Sequence, residues 1–246
     1  MIKSKDMYSL SQCSVAPFNI DLLKVTKSAT VPKPATQLLP ETEARYLLEP
    51  EKYLVRSPEE ISRWSEMHAD FQPYWDETLR KSKSARYDLY RRLIDKSLLG
   101  FRRRIRSRVG LFFVWKANKK GIRMIGHPRM PNGCHKLPPK TKLGGAAALG
   151  ELDAYIDEDD LPVLESGYGG PVELPCSLFG NTGDVSDAFY QFSVESLADW
   201  FGLDDPVAAK DFGLQTVWDP DLGQHVPLQP DDKVFPVFLG MPQGWA

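Results

Sequence analysis

The chain has 246 residues, 42% hydrophobic and 26% charged, values ordinary for a globular protein of one large domain or two small ones. No apolar run approaches the ~20 residues a membrane helix needs, so no membrane span is expected, and Met1-Ile2-Lys3-Ser4-Lys5 leads into no apolar stretch of the kind a secretory signal has. Cys13, Cys134 and Cys176 stand far apart with no CxxC pair, which argues against a disulfide framework or a zinc ribbon and fits a reducing compartment, nucleus or cytoplasm.

A net charge of -2 conceals two segments of opposite sign. Residues 80–142 hold 20 lysines and arginines against Asp88 and Asp95, a net of +18, whereas residues 143–246 hold Lys210 and Lys233 against 19 acids, a net of -17. Two readings stay open. The basic block grips a polyanion while the acidic one holds a divalent metal, or the two halves attract each other.

In chain order, residues 1–50 lack sustained periodicity and carry Pro17, Pro32, Pro34 and Pro40, which predicts a poorly ordered extension with one short helix over 21–24. Residues 51–109 read as a helical, basic lead-in. Ser57-Pro58-Glu59-Glu60 supplies a cap, a first-turn proline and a capping-box glutamate, and Ile61, Trp64, Met67 and Phe71 follow at helical spacing. A second helix is predicted over 84–107, with Gly100 as its weak point. The dense run 111–115, the basic turn 116–121 and the run 122–125 predict a β-hairpin with a basic tip. A proline-rich crossing over 128–139 leads to a short Ala/Gly helix over 143–152. Strands are predicted over 177–179, 184–192, 212–218, 224–227 and 234–239, with a helix over 194–201. The fold class is α+β with antiparallel pairing.

The chemistry-bearing stretches are Asp184-Val185-Ser186-Asp187-Ala188-Phe189-Tyr190 and Gly240-Met241-Pro242-Gln243-Gly244-Trp245. A carboxylate at a strand mouth suits a hard cation such as Mg²⁺, and it also suits an ordinary turn. Four blocks occur in order: Lys119-Lys120 with Arg123 in the hairpin, then Arg129 and Asn132, then the Asp184 block, then Met241-Pro242-Gln243-Gly244-Trp245. Their order and spacing over residues 110–246 resemble the reverse transcriptases of retroviruses and retroelements, in which a basic fingers hairpin precedes an Asp-Val-x-Asp-Ala-aromatic palm strand and a Leu-Pro-Gln-Gly turn.

That resemblance implies a partial right-hand polymerase: a helical N-terminal region, then fingers and the first half of a palm with an antiparallel sheet. Asp184 would be the catalytic, metal-binding carboxylate, with the Val185 carbonyl as a further oxygen ligand for Mg²⁺. The amides of Asp187 and Ala188 would meet the incoming deoxynucleoside triphosphate, with Phe189 under its sugar. Lys119 or Lys120 and Arg123 would neutralise phosphate oxygens, Gln243 would contact the sugar, and Arg129 would lie toward an RNA or DNA template paired to its primer. The implied activity is RNA-directed DNA synthesis by two-metal nucleotidyl transfer.

The sequence departs from the family pattern in two ways. No Tyr-x-Asp-Asp hairpin follows Gln243 within the 246 residues, so the expectation is a catalytically incomplete fragment. The alternative is a non-catalytic remnant that binds nucleic acid. His127-Pro128 stands where relatives carry Asp, which predicts a distorted second hairpin strand. Asp204-Asp205-Pro206 reads as a helix end and turn, and Asp157-Glu158-Asp159-Asp160 as a solvated acidic loop. Arg102-Arg103-Arg104-Ile105-Arg106 reads equally as a nucleic-acid clamp, a nuclear signal or a basic helix end.

Overall fold

The structure is a computed structural model that describes residues 14–25, 31–116, 119–137, 188–203 and 205–242. The chain divides into two compact units, residues 1–137 with 187–246 and residues 138–186, and every described residue belongs to the first. Asp184, Val185, Asp187, Gln243, the helix over 143–152 and the strand over 177–179 lie outside the described residues.

Two short strands, β1 (Val15–Ala16) and β2 (Lys33–Pro34), precede three helices, α1 (Glu41–Leu48), α2 (Pro50–Tyr53) and α3 (Pro58–Met67). The predicted capping box starts α3: Ser57 Oγ accepts from the Glu60 amide at 3.2 Å, and the Glu60 carboxylate accepts from the Ser57 amide at 3.0 Å. Residues 21–24, expected as a short helix, instead form a turn that ends in a bridge between Leu23 and Ile122. The expectation of a poorly ordered extension also gives way over the described residues. Ala16, Leu23, Val25, Ala35, Ala44 and Leu47 are buried hydrophobic residues, and the apolar area they remove from water offsets the ordering of a proline-rich segment.

Asp76 caps α4 (Glu77–Lys81) by accepting from the amides of Thr78 and Leu79, and its other oxygen accepts from the Phe18 amide at 3.1 Å. Three donors satisfy this buried carboxylate, so it fixes the chain just after β1 against the helix. Helix α5 (Lys83–Ile94) stops far short of residue 107. Ser97 takes a left-handed φ of 55°, and the chain leaves as strand β3 (Leu99–Arg102). Helical spacing would have left the arginines in water, whereas strand pairing buries Leu98 and Leu99 and brings Arg102 to a carboxylate.

Strands β4 (Gly110–Trp115) and β5 (Ile122–His127) form the predicted hairpin in unbroken register from Trp115 opposite Ile122 to Gly110 opposite His127. His127 therefore does not distort the second strand. A short helix α6 (Arg129–Cys134) follows within the proline-rich crossing. Where a strand over 184–192 was expected, Ala188–Tyr190 form a single 3-10 turn, and only β6 (Phe192–Ser193) is extended, parallel to β2. Residues Glu195–Trp200 are 3-10 rather than α-helical.

Strands β7 (Val207–Ala208), β8 (Thr216–Asp219), β9 (Gln224–Pro227) and β10 (Lys233–Phe238) complete the chain. The expected strand start at Phe212 is displaced because Ala209–Phe212 form a 3-10 turn closed by left-handed Gly213. A three-stranded sheet runs β1-β4-β5, a five-stranded sheet runs β7-β10-β3-β8-β9, and β2 pairs with β6. All pairings are antiparallel except β2 with β6 and β3 with β8. The architecture is α+β. Because β3 lies inside a sheet completed by β10, the lead-in over 51–109 and the segment after it share one structure. Among the described residues no helix is long and apolar enough to cross a membrane.

Candidate functional site

Residues of two of the four sequence blocks meet at one small apolar pocket, beside the second hairpin strand. Met124 and Gly126 of β5, Phe189 and Tyr190 of the 3-10 turn, and Met241-Pro242 all line it. The Tyr190 hydroxyl donates to the Met124 carbonyl at 3.2 Å. A Cβ placed on Gly240 would stand 3.1 Å from the Phe189 carbonyl oxygen, so glycine lets the last block approach the turn closely. The bridge of Ser193 with Gly240 and the bond from the Val194 amide to the Leu239 carbonyl at 2.7 Å fix that approach. Phe189 is 42% exposed beside this pocket, an orientation that leaves a large ring available to a ligand.

The hairpin distributes its residues by strand alternation. Ile122 and Met124 face the core with Phe113 and Leu111, while Arg123, Ile125 and His127 share the other face with Val114 and Phe112. Arg123 is exposed on that outer face, away from Met124 and the pocket. Lys119, at φ 52°, and Lys120 are exposed at the tip. Among the described residues no carboxylate lies within ion-pair distance of Lys119 or Arg123.

The outer face also gathers aromatic side chains that sequence reasoning missed. Tyr74, 51% exposed, meets Phe112 edge-on at 5.7 Å, and Phe71 lies 5.6 Å from the His127 ring. Arg129, which opens α6, sits over Phe71 at 5.2 Å. Nδ1 of His127 accepts from the Tyr74 amide at 3.0 Å, and burial, with the Arg129 charge beside it, holds this imidazole below its usual pKa. Arginine over an aromatic ring beside exposed rings is chemistry suited to stacked bases and phosphates. The signal for it was present in Phe71-x-x-Tyr74-Trp75, just before the Asp76 cap.

The arginine run behaves differently. Arg102 meets Asp199 at 3.0 Å, Arg103 meets Asp232 at 3.2 Å, Arg104 meets Asp221 at 2.8 Å, and Arg106 meets Glu51 at 2.7 Å. Three of these four partners come from the acidic half, so mutual attraction of the halves accounts for this stretch. The Arg102–Asp199 pair is largely buried. Burial lowers the Arg102 pKa and raises that of Asp199 despite their attraction, so desolvation outweighs the pairing for each.

The described site residues thus fall in two places, Phe189 at the pocket with Ala188 beside it in the 3-10 turn, and Lys119, Lys120, Arg123 and Arg129 on the tip and outer face of the hairpin region. Among the described residues no group of three or more His, Cys, Asp or Glu side chains could hold a metal. No family model matches the chain, and no significant match exists among curated proteins or solved structures.

Proposed function

We propose that the chain is part of a retroelement reverse transcriptase, a fingers and first-palm unit that binds an RNA or DNA primer-template and a deoxynucleoside triphosphate. The observation that supports this reading is that Phe189-Tyr190 and Met241-Pro242, from two of the four blocks, line one pocket although they lie some 50 residues apart in sequence. A coincidence of short motifs gives no reason for them to meet. The exposed ring of Phe189 would stand under the sugar, and the tip lysines would reach phosphate oxygens as mobile ammonium groups. Arg129 over Phe71, with Arg123 exposed on the same outer face of the hairpin region, suits a template strand better than a triphosphate in the pocket.

Mg²⁺ belongs to this proposal through Asp184 and the Val185 carbonyl, the oxygen ligands the resemblance implies.

Photocrosslinking with an azido-deoxynucleoside triphosphate, followed by peptide mapping, tests the reading. Label is expected on peptides containing Phe189 or residues 240–243 and is competed by unmodified triphosphate. Label confined to peptides remote from the pocket would overturn it.

A further inference from the structure

A cleft of about 730 Å³ lies apart from the pocket, lined by Arg56, Ser57, Glu60 and Ile61 at the start of α3, by Lys136 after α6, and by Trp200. Residues 54–56 run antiparallel to 134–136: Val55 bridges His135, the Arg56 amide donates to the Cys134 carbonyl at 3.0 Å, and the Lys136 amide donates to the Leu54 carbonyl at 2.7 Å. Val55 and His135 turn into the core, so Arg56 and Lys136 share the opposite face as diagonal neighbours, spaced by about 7–8 Å.

Both cations are held by neutral acceptors. Arg56 Nε donates to the His135 carbonyl at 2.7 Å, and Lys136 Nζ donates to the Lys52 carbonyl at 3.0 Å. Among the described residues neither has a carboxylate within ion-pair distance, in contrast to Arg102 through Arg106. Two acids also line the cleft: Glu51, paired with Arg106 of the same lining at 2.7 Å, and Glu60, which accepts from the Ser57 amide. Arg56, Lys136 and Arg106 thus outnumber Glu51 and Glu60 in the lining, and Arg56 and Lys136 have no carboxylate partner among the described residues, an arrangement that favours an anion. The volume is that of a pocket for an extended ligand rather than for one inorganic phosphate.

We propose that this cleft holds the phosphodiester backbone of a single-stranded nucleic acid, gripped by Arg56 and Lys136. The proposal rests on the nucleic-acid reading of the chain but not on the hairpin or the pocket.

Fluorescence anisotropy with a labelled single-stranded oligothymidylate, titrated between about 50 and 200 mM salt, tests it. The double variant Arg56→Gln/Lys136→Gln should bind several-fold more weakly and lose about 1.4 from its log–log salt slope, ~0.7 per phosphate contact on a single strand. The charge-preserving variant Arg56→Lys/Lys136→Arg should keep the wild-type slope, which separates charge from folding. A slope unchanged in the Gln double variant, no binding by the wild type at low salt, or competition by inorganic phosphate or polyglutamate equal to that of unlabelled strand would each overturn the proposal. Loss confined to Lys119→Gln/Arg123→Gln would overturn the cleft while leaving the hairpin reading intact. Loss confined to Arg56→Gln/Lys136→Gln would do the reverse.

Discussion

The hydroxyl of Tyr190 donates to the carbonyl oxygen of Met124, tying the Ala188–Tyr190 turn to the second hairpin strand across 66 residues of sequence. The bond closes one wall of the apolar pocket, with Tyr190 and Met124 both in its lining. Tyr190→Phe keeps the ring and removes the donor, which should cost about 1 kcal/mol. At about 2–4 °C per kcal/mol for a domain of this size, the melting temperature should fall by a few degrees. Thermal denaturation by circular dichroism checks this, and an unchanged melting temperature would show that the turn is not held by that bond.

Gly110 pairs with His127 at the open end of the hairpin, and a Cβ there would collide with the carbonyl oxygen of Tyr74. The obstacle is backbone, which cannot rotate aside as a side chain can. Gly110→Ala should therefore destabilise by about 1–3 kcal/mol, the usual cost of overpacking, measured as a shift of the urea midpoint. Tolerance of alanine at this position would contradict the packing of residues 71–76 on the hairpin.

Acidification should loosen the same contact. His127 Nδ1 accepts the Tyr74 amide, and a protonated ring has no lone pair to offer there. Its folded pKa is depressed by burial and by Arg129, so the unfolded chain binds the proton first. The associated stability is present above the unfolded value near 6.5 and is lost as pH falls through the folded pKa. His135, also depressed chiefly by burial, adds in the same direction. The urea midpoint should drop between about pH 7.5 and pH 5.5, and His127→Asn, which can accept the amide without titrating, should flatten part of that drop. An identical pH profile in the variant would remove His127 from the account.

What the sequence made legible was local. The hairpin, the α3 capping box and strand β9 each follow from neighbouring residues: two apolar-rich runs, 111–115 and 122–125, around a basic turn, a cap three residues before its glutamate, and a short run between turn residues. Strand β3 was hidden because its partner, β10, lies more than 130 residues away, and because an arginine-rich continuation after Leu89 and Leu93 imitates the solvent face of a helix. The burial of Ala16 and Leu23 was equally hidden, since each packs through a strand pairing made about 100 residues later. In the candidate site, the expected neighbours Asp184 and Gln243 lie outside the described residues, while Phe189, Tyr190, Met241 and Pro242 line one pocket. Arg123 lies on the opposite face of β5 from Met124, as strand alternation from that buried residue dictates. The charge segregation left two readings open, and the ion pairs of Arg102, Arg103 and Arg104 with the acidic half assign that stretch to internal attraction.

The central claim is that the hairpin, and not the arginine run, engages primer-template. Fluorescence anisotropy of a labelled primer-template duplex at several salt concentrations tests it most directly, comparing wild type, Lys119→Gln/Lys120→Gln/Arg123→Gln and Arg103→Gln/Arg104→Gln. Each lost phosphate contact on a duplex removes about 0.9 from the log–log salt slope, so the hairpin variant should flatten the slope by at least about that much. The arginine pair, already neutralised by Asp232 and Asp221, should leave it near the wild-type value. A hairpin variant with the wild-type slope, or a larger loss from Arg103 and Arg104, would contradict the account.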